Sequence, residues 1–208
     1  MAPALLVLLA SYLIGAIPFG LVMARVIKGV DLRTVGSGNI GATNAMRILG
    51  KPLGLVAFLL DFAKGLLPTA ILAGYAGPLA AETPFLAEAL VGTAAVLGHC
   101  FPVYLGFKGG KGVATGCGAI VGVEPMVFVA SGVVWLVILG LSRYVSLASI
   151  AMGAAFPVSA ALLVPGAPAF VVACSLLTLL VIVRHRSNIT RLRAGTEPKI
   201  RERTAAMH

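Results

Sequence analysis

Apolar residues in this chain gather in long runs, and polar residues interrupt them at a few places. The first run covers residues 1–24, long enough for a helix crossing a hydrocarbon layer of roughly 30 Å. Arg25 and Lys28 follow this run instead of preceding a short apolar core, so it does not read as a signal peptide and is expected to stay in the mature protein. Further runs lie at about 53–75 (interrupted by Asp61 and Lys64), 84–98, 113–123, 126–141, 145–164 and 167–183. The run at 113–123 falls short of the roughly 20 residues a full span needs, so it is expected to tilt or to pack inside a bundle. Glycine and proline within the runs do not argue against membrane helices.

The pattern predicts an all-α fold. It is a polytopic integral membrane bundle of seven transmembrane helices, forming a single membrane-embedded domain over residues 1–208. The basic residues orient it. The connection at 25–51 carries five Lys or Arg, that at about 76–83 none, and the next carries Lys108 and Lys111. Glu124 stands alone in the fourth, Arg143 in the fifth, nothing charged in the sixth, and the tail carries seven cations. Fifteen of the 16 basic residues thus alternate onto one face, Lys64 being the exception. The positive-inside rule makes that face cytoplasmic, with the N-terminus outside and the C-terminus in the cytoplasm.

Composition agrees. The chain is 59% hydrophobic and 11% charged, with a mean hydropathy of +1.03, whereas soluble domains carry about 25% charged residues. A soluble enzyme, a disordered chain and a disulfide scaffold are all excluded. The net charge of +9 would suggest nucleic acid in a soluble protein; here topology accounts for most of it, and no nucleic-acid partner is expected. Cys100, Cys117 and Cys174 lack metal-ligand spacing, and Cys117 and Cys174 read as small core residues.

Three polar stretches hold more than topology requires, at about 25–52, 98–115 and 184–200. The first contains Gly36, Ser37, Gly38, Asn39, Gly41, Thr43 and Asn44, with Arg47 just beyond. Its glycines free the backbone to turn N–H groups toward an anion, and Arg47 is suited to bidentate phosphate contact. The match to a dinucleotide-binding glycine pattern is discounted, because no β-α-β unit surrounds it. The second runs Gly98-His99-Cys100-Phe101-Pro102 and then Phe107-Lys108-Gly109-Gly110-Lys111-Gly112 directly before a helix. Two lysines, four glycines (Gly106 included) and a helix N-terminus suit a phosphate. Leu105 and Gly112 occupy positions where a Walker A loop needs Gly and Ser or Thr, so nucleotide hydrolysis is disfavoured. In the third, His185 and Asn188 share a face if the last helix continues through a run of arginines. Asn188-Ile189-Thr190 formally fits a glycosylation acceptor but lies on the wrong side of the membrane. Asp61 and Lys64, buried in the second run, suggest either a structural pair or a substrate contact.

Together the three stretches resemble the bacterial acyl-phosphate-dependent glycerol-3-phosphate acyltransferases, the PlsY family, over nearly the whole chain. The resemblance rests on the Ser-Gly-Asn-Ile-Gly-Ala-Thr-Asn run at 37–44, the runs at 98–102 and 107–115, and His-x-x-Asn-Ile-x-Arg-Leu followed by Gly-x-Glu-Pro-Lys at 185–199. It implies transfer of a fatty acyl group from acyl phosphate to the 1-position of sn-glycerol 3-phosphate. The products are lysophosphatidic acid and inorganic phosphate, at the start of phospholipid synthesis in the bacterial inner membrane. It further implies that Ser37, Arg47, Lys108 and Lys111 contact phosphate groups and that His185 and Asn188 orient substrate near the reacting carbonyl. Asn39, Thr43 and Asn44 would shape the first loop and His99 the second, with Gly36, Gly38, Gly41, Gly109, Gly110 and Gly112 assisting.

No Ser-His-Asp arrangement is apparent, and neither His99 nor His185 has an Asp five residues later. The resemblance implies that substrate phosphate serves as base, so direct transfer without an acyl-enzyme, metal or cofactor is expected. Besides its two substrates and membrane lipids, the upstream acyl-phosphate-forming enzyme is the candidate partner of an otherwise monomeric protein. A transporter of a phosphorylated solute competes with this reading, but its site belongs near the midplane between repeats. No internal repeat is found, and the polar motifs share one face. A lipid-binding scaffold would explain the basic tail but not two glycine-rich loops.

Overall fold

The computed structural model describes residues 2–77 and 83–200, and every regular element among them is helical. Most of the connection expected at 76–83, and Arg201 and Arg203 of the tail, lie outside the described residues. Helices α1 (Ala2–Gly15) and α2 (Phe19–Lys28) form a first stretch of 27 residues. After α3 (Ala42–Leu49), α4 (Lys51–Leu67) continues through a π-helical turn at Pro68–Leu72 and a 3-10 turn at Ala73–Tyr75, 25 residues in all. Next come α5 (Leu86–Cys100), extended by a 3-10 turn at Val103–Leu105, α6 (Val113–Val123), α7 (Pro125–Ser142) and α8 (Val145–Leu163). The last two are α9 (Pro168–Arg184) and α10 (Arg186–Arg193), which meet at a bend of 58°.

Among the described residues, five stretches are long and apolar enough to cross a membrane by themselves, and α9 with α10 makes a sixth. The run at 113–123 is a helix of 11 residues, about 16 Å long at 1.5 Å per residue. As expected for a short segment, it lies inside the bundle, with Thr115 to Ile120 buried against its neighbours.

The first apolar run is not one continuous helix. It breaks at Ala16–Pro18, where Pro18 has no N–H to continue the ladder and Lys64 Nζ takes the Ile17 carbonyl at 2.7 Å. Hydropathy does not show such a break, because proline is apolar and many membrane helices carry it without breaking.

Glycines set the closest helix approaches. A Cβ on Gly118 of α6 would fall 1.9 Å from the Phe62 carbonyl of α4, and one on Gly65 2.0 Å from the Thr115 carbonyl. The same reciprocity joins α1 to α5, through Gly15 against Ala95 and Gly98 against Tyr12, at 2.0 and 2.1 Å. Small residues at helix crossings are the usual means of tight packing where lipid supplies no hydrophobic drive. Outward faces are apolar: Val129, Val133, Leu136 and Leu141 of α7 are all exposed, a belt that water would not tolerate but acyl chains would.

Two buried clusters matter for the site. One joins α6 to α9 through Ile120, Val127, Met152, Phe156 and Phe170, together with Cys117 and Cys174. The other lies under the first polar loop and consists of Leu21, Ala24, Leu32, Ile40, Ala45, Leu49 and Ala57, with Leu105 packed against it. Leu105 therefore ties the second polar loop to the first.

Candidate active site

The first loop is built around Asn44, whose side chain is 1% exposed. Its Nδ2 donates to the carbonyls of Leu32, Val35 and Asn39 at 3.0–3.1 Å, and its Oδ1 accepts the Ser37 N–H at 2.9 Å. Asn39 Oδ1 accepts the Gly41 N–H at 2.9 Å, and the Gly38 N–H donates to the Val35 carbonyl at 3.1 Å. Gly36 and Gly38 both take positive φ, +60° and +67°. A Cβ on Gly36 would also strike Asn44 Oδ1 at 2.3 Å. The expectation that the N–H groups of Ser37, Gly38 and Gly41 converge on an anion is therefore corrected: they are spent inside the loop, because a tight turn has to satisfy its own donors. What the loop presents outward is the side chains of Ser37, Thr43 and Arg47, all exposed.

The second loop lies on the end of α5. The Gly109 and Gly110 N–H groups donate to the carbonyls of Cys100 and His99 at 3.2 and 3.1 Å. Neither glycine can carry a side chain there, since a Cβ would fall 2.2 Å from the His99 carbonyl or 2.1 Å from His99 Nε2. From the other side Arg184 clamps the loop, Nε donating to the Gly110 carbonyl at 2.9 Å and Nη2 to that of Gly109 at 2.5 Å. The same guanidinium lies over the Phe101 ring, 5.3 Å from its centroid. Gly112, at φ +82°, leads into α6. Lys108 is exposed, whereas Lys111 is half-buried and donates from Nζ to Asn188 Oδ1.

The third stretch does not continue as one helix. α9 stops at Arg184, and His185, 3% exposed, forms the bend, with its Nδ1 2.8 Å from the Val181 carbonyl. A carbonyl can only accept, so Nδ1 carries the proton and Nε2 is the lone-pair edge of the neutral ring. The bend turns the buried Asn188 of α10 inward, where Nδ2 donates to Glu197 Oε1 at 2.6 Å while Oδ1 accepts from Lys111. Arg191 Nε closes the group on Glu197 Oε2 at 2.7 Å.

Second and third stretches are thus in direct contact, through Lys111 to Asn188 and Arg184 to the glycines. The first joins them through Leu105 and the charge of Arg47, which reaches Lys111. Burial pushes the Lys111 ammonium down to about 8; Glu197 raises it, and Arg191, Arg47 and Arg184 lower it. A cation surrounded mostly by cations, with one carboxylate among them, is a strong attractor for a doubly charged anion. Arg25 and Arg33 do not contribute, since Asp31 holds both at 2.6 Å.

A groove of about 290 Å³ opens between α5, α6 and α9. Val96, Leu97, Ile120, Phe170, Leu177 and Leu180 line it, with Glu88 at its distal end.

Arg184 and Glu197 join the site although the motifs that contain or border them assign neither a role. Glu197 is one of two acids among the tail's seven cations, Glu202 being the other, and that scarcity is the signal the sequence offers. Arg184 gave none, because its partners are backbone carbonyls some 74 residues away.

The sequence profile described as glycerol-3-phosphate acyltransferase matches residues 5–195. A glycerol-3-phosphate acyltransferase of Aquifex aeolicus (strain VF5) is 47% identical over 195 residues, covering 93% of this chain and 97% of that one. One from Jannaschia sp. (strain CCS1) is 43% identical over 192 residues, covering 92% and 90%. Among solved structures, the glycerol 3-phosphate form of PlsY (YgiH), an integral membrane glycerol 3-phosphate acyltransferase, is similar at a TM-score of 0.86. Its sequence identity is 43%, with 95% of each chain covered. Its lysophosphatidic acid form is similar at 0.84, with 42% identity and 94% of each chain covered. The chain belongs to the glycerol-3-phosphate acyltransferase family of integral membrane enzymes.

Proposed function

We propose that this enzyme moves a fatty acyl group from acyl phosphate to the 1-hydroxyl of sn-glycerol 3-phosphate, releasing lysophosphatidic acid and inorganic phosphate. The observation that carries the reading is the placement of Lys111. It stands on a clamped glycine loop, bonded to Asn188 and under the charges of Arg47, Arg184 and Arg191, and an apolar groove lies between α5, α6 and α9, the helices that flank and clamp that loop. Phosphate binds at the cations and the acyl chain lies in the groove. One substrate comes from the bilayer and the other from the cytosol.

The acceptor hydroxyl attacks the acyl carbonyl carbon, the new C–O ester bond forms, and the bond to the phosphate oxygen breaks. Phosphate leaves with that electron pair and takes the hydroxyl proton. The mixed anhydride already has a good leaving group, so the protein contributes positioning and fixed donors for developing charge. Ser37, Arg47, Lys108 and Lys111 contact the phosphates, while His185 and Asn188 orient substrate at the carbonyl. No side chain is acylated.

The chain functions as one membrane-embedded domain of seven spans in the bacterial inner membrane, N-terminus outside, with the site on the cytoplasmic face. That orientation is supported by the 15 of 16 cations that hydropathy assigns to one side. The acyl-phosphate-forming enzyme upstream is its natural partner. An initial-rate matrix with palmitoyl phosphate and glycerol 3-phosphate tests the mechanism. Converging lines are expected for direct transfer in a ternary complex, and parallel lines would establish an acyl-enzyme.

A further inference from the structure

Behind the second loop lies a group of buried charges that the transfer chemistry does not use. Asp61 and Lys64 stand three apart on α4, each side chain 2% exposed, with Nζ 2.8 Å from Asp61 Oδ1. Lys64 also holds the Ile17 carbonyl at the break between α1 and α2. His99, in the last turn of α5, turns Nδ1 toward the same Asp61 oxygen at 3.8 Å. Asp61 Oδ1 is met by the Lys64 ammonium, whereas His99 Nδ1, equally buried, completes no hydrogen bond.

Charges inside a membrane bundle are expensive, and two apolar side chains would pack the same space at less cost. Capping Ile17 explains Lys64, and neutralising Lys64 explains a carboxylate nearby. Neither explains why that carboxylate faces an imidazole whose opposite edge supports the glycine loop. The Asp61 carboxylate, 3.8 Å from Nδ1, attracts the N–H edge of the ring, favouring the His99 tautomer with its proton on Nδ1 and drawing that edge toward α4. The other edge, Nε2, is the atom that a Cβ on Gly110 would strike at 2.1 Å, and the His99 carbonyl takes the Gly110 N–H.

We infer that Asp61 is a positioning residue for the phosphate loop: through the His99 ring on which Gly110 rests, it fixes the height of that loop and hence the place of Lys111. The inference rests on the reading of that loop as a phosphate site.

Inorganic phosphate, a product of the proposed reaction, is the probe. Wild-type enzyme is first shown to be inhibited by it competitively against palmitoyl phosphate. Failure at that stage removes the phosphate-site reading, and the Asp61 role with it. Asp61→Asn, His99→Asn and the double variant are then compared. Each single substitution is expected to raise the phosphate inhibition constant about tenfold, as the loop that places Lys111 loses its seat. The double variant is expected to rise no further, because the two residues act in series. A role confined to folding would lower the melting temperature and leave the inhibition constant of the folded protein unchanged. Should Asp61→Asn fail to fold, Asp61→Asn with Lys64→Met removes both charges and poses the same question. An unchanged inhibition constant in His99→Asn or in either Asp61 variant, or fully additive effects, would overturn the inference.

Discussion

Replacing Gly110 by alanine adds one methyl where the second loop lies flat on His99. The new Cβ would fall 2.1 Å from Nε2 and 2.9 Å from Cε1 of the imidazole, against ordinary contact near 3.5–4 Å, so the loop has to rise by about 1.5 Å. It is held on both sides. The Gly110 N–H is bonded to the His99 carbonyl at 3.1 Å, and Arg184 holds the carbonyls of Gly110 and Gly109 at 2.9 and 2.5 Å. Lifting it breaks at least one bond to the guanidinium, worth about 1.5–3 kcal/mol, and carries Lys111 away from Asn188. Because 1.4 kcal/mol is about a factor of ten, kcat/KM should fall roughly 10- to 100-fold. Gly140→Ala in α7, where nothing lies within 4 Å, is the control and should behave as wild type. Continuous phosphate-release assays on both detergent-purified variants, with melting curves alongside, give the comparison. A Gly110→Ala enzyme within about twofold of the control in kcat/KM would refute the view that this loop's seat positions Lys111.

Lys111 is held down to about 8 chiefly by burial, so it is charged below that pH and loses its proton as pH rises through it. kcat/KM for palmitoyl phosphate should therefore decline above about pH 8 in wild type but not in Lys111→Met, and a wild-type profile with no such limb would contradict the phosphate role. Gly118→Ala places a Cβ 1.9 Å from the Phe62 carbonyl, and overpacking of this kind costs about 1–3 kcal/mol. Its melting temperature in detergent should drop while that of Gly132→Ala, with open space around it, stays unchanged; equal melting would contradict the close α4–α6 crossing. Ser37→Ala should lose about tenfold or more in turnover as a phosphate donor is removed. Wild-type protein given palmitoyl phosphate alone should show no added palmitoyl mass, and an adduct on Ser37 would contradict direct transfer.

The apolar segments could be read from hydropathy because a bilayer forces each buried backbone group to bond within its own helix, leaving length and composition as the main variables. The shortness of α6 was visible for the same reason. The break at Pro18 was not, since membrane helices tolerate proline and the cation that takes the freed Ile17 carbonyl, Lys64, comes from a distant helix. Nor was the bend at His185, where the side chain returns to the carbonyl of Val181 and frees α10 to turn Asn188 toward Lys111. The glycine loops announced an anion site by composition. Their density serves a different end from the one composition suggests, because the Ser37, Gly41, Gly109 and Gly110 N–H groups are satisfied internally and the cations are side chains. Glycine there allows Gly110 to lie against His99 and the first loop to wrap Asn44, contacts that spacing in a sequence does not reveal.

The most direct measurement is phosphate release by purified, detergent-solubilised protein given palmitoyl phosphate and glycerol 3-phosphate, each alone and together, with palmitoyl-CoA in a parallel series. Release that requires both substrates, with lysophosphatidic acid formed in equal amount and the thioester left intact, is the expected result. Folded protein that releases no phosphate, or that acylates glycerol 3-phosphate from palmitoyl-CoA instead, would contradict acyl-phosphate-dependent transfer.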